Sequence, residues 1–243
     1  MMNPYPTNLL SKAGIVTPLI GFYDLADPSP FEPFAKPGRC LFKAYEAWLE
    51  GKYICLSAEE YSCRGGGYWI GGTEFTTREE FGSGLNQREG FKESDQLMCQ
   101  WLENQKPYLI KNGYVVIGPL REDHTSYLKT VTFYVNPDQL SLLLMGAHYR
   151  DASSIGETVK VPFGSGCGLM AAVLGDLETD EPRAVIGATD IAMRQHLPPD
   201  LLAFTVNRAM YKQLCNLKEN SYLDKSFLQR LKLSREEKIH TGI

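Results

Sequence analysis

The sequence lacks several things that would each have named a function class. It has no CxxC pair, so neither a zinc knuckle nor a thioredoxin-type redox motif is available. It has no apolar run near the roughly 18 residues that a membrane-spanning helix needs. The best run, Leu140 to Ala147, is broken by Ser141 and Gly146. The opening segment, MMNPYPTNLLSKAGIVTPLIGFYD, has no basic start followed by an uninterrupted apolar stretch. Excess positive charge is absent too: the formal net charge is −4. A mildly acidic surface is a poor match for a phosphate backbone. The expectations are therefore a cytoplasmic protein with no nucleic-acid partner and no membrane partner.

What is present is an ordinary globular composition. Hydrophobic residues make up 43% of 243 positions, enough chain and enough apolar surface for a real core. There are six cysteines: Cys40, Cys55, Cys63, Cys99, Cys167 and Cys215. Their wide spacing in a long chain fits reduced thiols better than a disulfide framework.

The pattern reads as an α+β fold, a mixed sheet with flanking helices, in a single unit over residues 1–243. Strands are expected at Val16–Leu25, Lys52–Ser57, Tyr114–Leu120, Thr130–Val135, Thr158–Phe163 and Arg183–Thr189. Helices are expected at Cys40–Glu50, within Thr76–Asn112, from Pro137 to Tyr149, and over a long stretch from Pro198 to Glu219. Asn136 followed by Pro137 is a strong helix start, an N-cap and then a residue preset for the first turn. Two stretches, about 16–75 and 130–190, share the order strand, helix, strand, then a connection holding glycines and a cysteine. That order suggests two pseudo-symmetric, interlocked halves.

Those two connections carry the most suggestive chemistry. Cys63 stands in SCRGGG beside Arg64, Gly65 and Gly66. Consecutive glycines let backbone approach a ligand and aim N–H groups at an anion, and a neighbouring guanidinium favours the thiolate. Cys167 stands in FGSGCG, after Gly164, Ser165 and Gly166. The segment has the form of a loose nucleophile elbow feeding a helix. The bland reading of both is a tight connection with a buried thiol. Asp190 and Arg194 follow a strand, where binding residues gather; four apart, they would equally suit a surface ion pair. His124, His148 and His196 are the histidines weighed as a base, and none has a telling spacing to a cysteine.

The segments CLFKAYEAWLEGKYICLSAEEYSCRGGGYWIGG, VNPDQLSLLLMGAHYR, VPFGSGCGLMAAV and PRAVIGATDIAMRQHLPPDLLAFTV resemble the "domain of unknown function 169" family of bacterial and archaeal proteins. The matching features are Cys63 with Gly65 and Gly66, Phe163 to Cys167, Gly187 with Asp190 and Arg194, and Cys40 at a helix start. The resemblance implies a shared site built from these segments and brings no activity with it.

The leading expectation is a site for a small anionic ligand, a metal or a redox centre at the two cysteine segments. Cys40, Cys63 and Cys167 are the candidate metal ligands. Soft thiolates suit zinc, copper(I) or an iron–sulfur centre, but three cysteines fall short of a four-cysteine site. A bound ligand or a second copy of the chain would complete it, so a homo-oligomer accompanies that expectation. Two alternatives stand beside it. One is a thiol-dependent enzyme with Cys167, or Cys63, as nucleophile. The other is a non-catalytic interaction or scaffold protein whose glycines are structural.

Overall fold

The architecture comes from a computed structural model. It describes residues 5–57 apart from 37 and 39, then 60, 64–71, 76–104, 110–152, 157–162 and 179–241. Seven strands form one mixed sheet among these residues, flanked by nine helices. The strands are β1 (Ile20–Leu25), β2 (Ile54–Ser57), β3 (Tyr114–Pro119), β4 (Leu128–Val135), β5 (Val159–Lys160), β6 (Ala184–Gly187) and β7 (Leu202–Asn207). Their order across the sheet is β2-β3-β1-β4-β7-β6-β5. Every pairing is antiparallel except β5 with β6.

Helices cover both faces, which explains why β1 is buried at all six positions instead of alternating. One face presents Ile20, Phe22, Ile54, Val115, Ile117 and Tyr134 to the first core. Over it lie α2 (Tyr45–Leu49), α3 (Arg64–Gly71), α4 (Arg78–Glu89) and α5 (Asp95–Glu103), with α7 (Ile191–Arg194) at one end. The other face presents Tyr23, Val116, Val131, Phe133 and Phe204. It is covered by α1 (Thr7–Ala13), α6 (Pro137–Ala147), α8 (Arg208–Cys215) and the start of α9 (Ser226–Thr241). Asp24 sits inside this sandwich at 1% exposure, and its carboxylate accepts hydrogen bonds from the backbone N–H groups of Lys111 and Asn112.

Local signals set most boundaries. Asn136 caps α6 through a full capping box with Gln139, with Pro137 at the first position. Thr77 and Ser94 cap α4 and α5. β1 begins at Ile20, two residues beyond Pro18, which has no N–H for a ladder. The expected helix over Cys40–Glu50 is a 3-10 turn at Leu41–Ala44 leading into the short α2.

One expectation is overturned. The stretch from Pro198 to Glu219 is not one helix but strand β7 followed by helix α8, joined at Asn207. LAFTVN is β-branched and aromatic enough to pair on both sides, with β4 and β6. Asn207 then caps α8 by accepting from the Met210 N–H.

The two strand–helix–strand units share an order of elements but differ in placement. β3 alone separates β2 from β1, with α2 on the first face. Both β7 and β6 separate β5 from β4, with α6 on the second face.

Candidate functional site

β2 leads toward Cys63 and β5 toward Cys167, and these are the two edge strands. They also run in opposite directions, because β1 and β4 at the centre are antiparallel. The strand ends alone do not bring the segments together. Cys63 itself, and Gly164, Ser165, Gly166 and Cys167, lie outside the described residues.

Arg64, Gly65 and Gly66 are described, and they correct an expectation: they belong to a helix, not a loop. α3 starts at Arg64, so Gly65, Gly66 and Gly67 fall in its first turn. Glycine costs about 1 kcal/mol relative to alanine at each helical position. Tertiary packing offsets this: Tyr68 is buried and stacks on Phe81, with ring centroids 4.3 Å apart and planes at 15°. Arg64 is exposed, Gly65 half-buried and Gly66 buried. A first turn keeps its N–H groups out of the helix's own bonds and carries the positive end of its dipole. Three successive residues of this turn carry no Cβ.

Asp190 and Arg194 sit beyond the end of β6, and each has a local task. Asp190 is buried and caps α7, its carboxylate accepting from the Ala192 N–H at 2.9 Å. Arg194 does not pair with it. Its guanidinium instead donates to four carbonyls: Ala188 and Pro198 at 3.3 Å each, Pro199 at 2.6 Å, and Leu201. The charge thereby ties the whole connection from β6 to β7 into one piece. Ala188, buried within it, holds φ = 60°, a left-handed conformation that alanine adopts only under outside constraint.

This braced connection forms one wall of an open cleft of about 550 Å³. Gln195, His196, Leu197 and Pro198 come from it. Lys43, Tyr45, Glu46 and Leu49 come from the turn and helix that follow Cys40. Tyr45 is anchored behind the cleft by an edge-on contact with Tyr134, centroids 5.0 Å apart. Burial, and then the charge of Asp200, raise its phenol pKa. Sequence reasoning passed over this cleft. Of its lining residues only His196 had been weighed, as a base, and the opposite-charge pair Lys43 and Glu46 had not.

Cys40 is a half-buried thiol at the first position before that turn, packed against the first core. Cys55, Cys99 and Cys215 are thiols as well. Burial pushes Cys55 and Cys215 up to about 11 and raises Cys99. At neutral pH they are protonated and poor nucleophiles. Among the described residues no three His, Cys, Asp or Glu side chains gather closely enough to hold a metal ion. Of the proposed metal ligands only Cys40 is described. His148 faces Asp151 at 3.3 Å, and His124 packs edge-on against Phe31 beside Asp123.

No described helix is long and apolar enough to cross a membrane. Against known protein families, the model of DUF169, described as uncharacterised ArCR, matches residues 20–216. No curated protein and no solved structure matches the chain.

Proposed function

Because the chain belongs to the DUF169 family, described as uncharacterised, its role must be argued from its own residues, and we propose that it binds a small anionic ligand in the cytoplasm, at the first turn of α3. Arg64 supplies charge, Gly65 and Gly66 supply backbone without a Cβ, and Cys63 supplies a thiolate. One observation carries it: three consecutive glycines occupy the first turn of a helix. A helix built only for packing gains stability from alanine there. A helix that must let an anion reach its N–H groups does not tolerate the methyl groups.

The test uses the full chain purified without oxygen. Its metal content and absorption spectrum are recorded first, then inorganic phosphate is titrated by calorimetry. The reading expects saturable phosphate binding that weakens about tenfold or more in Arg64→Ala. A stoichiometric metal or a visible chromophore lost in Cys63→Ser or Cys167→Ser would replace it with a metal or redox centre. Absence of both would leave the glycines structural.

A further inference from the structure

The cleft between α2 and the connection from β6 to β7 has a chemistry of its own. Lys43, Glu46 and His196 line it, and among the described residues their side chains make no hydrogen bond or ion pair. That is unusual for the surface near them, where Lys52 pairs with Glu50 and Arg194 donates to four carbonyls. A cation and an anion three residues apart at a helix start would ordinarily meet each other. Here they do not, and both open onto the same concave space.

The walls are fixed before any ligand arrives. On one side Arg194 braces the chain that carries Gln195, His196, Leu197 and Pro198. On the other, Trp48 and Tyr45 pin the helix: the Trp48 indole N–H donates to the Ile117 carbonyl at 3.2 Å, and Tyr45 contacts Tyr134. The volume, about 550 Å³, lies in the range of small-molecule sites. Leu49, Leu197 and Pro198 add apolar surface. The side-chain amide N–H of Gln195 is taken by the Ala192 carbonyl at 2.9 Å, which orients that amide.

We propose that this cleft binds a free amino acid with an apolar side chain. Its carboxylate meets Lys43 and His196, its ammonium meets Glu46, and its side chain lies on Leu49, Leu197 and Pro198. The ligand supplies both counter-charges that the protein leaves out. The residues that line this cleft are other than those of the anion site at α3.

Calorimetry on the full chain tests this with L-leucine, N-acetyl-L-leucine and L-leucinamide. Wild type binds L-leucine saturably and each capped form about tenfold or more weakly. Lys43→Met narrows the gap between L-leucine and L-leucinamide, because the carboxylate loses one of its two partners. Glu46→Gln binds L-leucine and the N-acetyl form alike. Both side chains are exposed, so both variants keep the wild-type melting temperature. No saturable binding of L-leucine, or capped forms binding as well as the free amino acid to wild type, would overturn the proposal. Equal weakening of all three ligands in each variant would overturn it too.

Discussion

The first turn of α3 and the connection after β6 look alike in sequence. Each is a short stretch with small residues and an arginine, following a strand. In the structure they are opposites. The β6–β7 connection spends its arginine on its own backbone, with four carbonyls gathered around one guanidinium. The turn of α3 leaves Arg64 exposed and packs only the residues beyond it. An arginine near small residues can therefore be scaffold or bait, and what decides is whether backbone carbonyls converge on it.

The largest effect is expected from Arg194→Ala. Removing charge-assisted bonds to four carbonyls that the fold has drawn together should cost about 2–4 kcal/mol. Urea unfolding measures this, and Arg194→Lys should recover little, since an ammonium cannot span the same fan of acceptors. A variant as stable as wild type would erase the difference between the two regions. Asp190→Ala comes next, losing the cap of α7 and about 1 kcal/mol, whereas Asp190→Asn keeps an acceptor and should stay close to wild type.

Gly65→Ala sharpens the comparison from the other side. Gly65 is helical, and its φ is not among the positive ones. Alanine should raise stability by about 0.5–1 kcal/mol. The same change should weaken phosphate binding. Higher stability with binding intact would mean that the glycine serves neither purpose.

The smallest effect is pH-dependent. Burial holds the Cys55 and Cys215 thiols at about 11 against an ordinary 9.0. The folded chain keeps protons in that interval that the unfolded chain gives up. Stability from this source is whole below about pH 9 and declines as pH rises toward 11. Thermal melts across that interval should show the decline, and it should shrink in Cys215→Ala.

Much of the fold was legible because its signals are local. Asn136–Pro137 marked α6. Residues Leu202–Asn207 were misread because apolar residues before a capped helix extend its pattern, and only pairing with β4 and β6 makes them a strand. The site was less legible. The role of Arg194 depends on where Pro198, Pro199 and Leu201 turn back toward it, and no sequence pattern states that. Ala188 is hidden for the same reason, since alanine gives no hint of a left-handed backbone. The cleft needs two segments about 150 residues apart to meet, and spacing within either says nothing of the other.

The central claim is that the glycines of α3 exist to admit an anion. The most direct measurement is nuclear magnetic resonance of the full chain, following the amide signals of Gly65 and Gly66 while inorganic phosphate is added. The account predicts saturable shifts at these two amides that vanish in Arg64→Ala. Unmoved signals at both, across a titration that saturates elsewhere on the protein or nowhere, would contradict it.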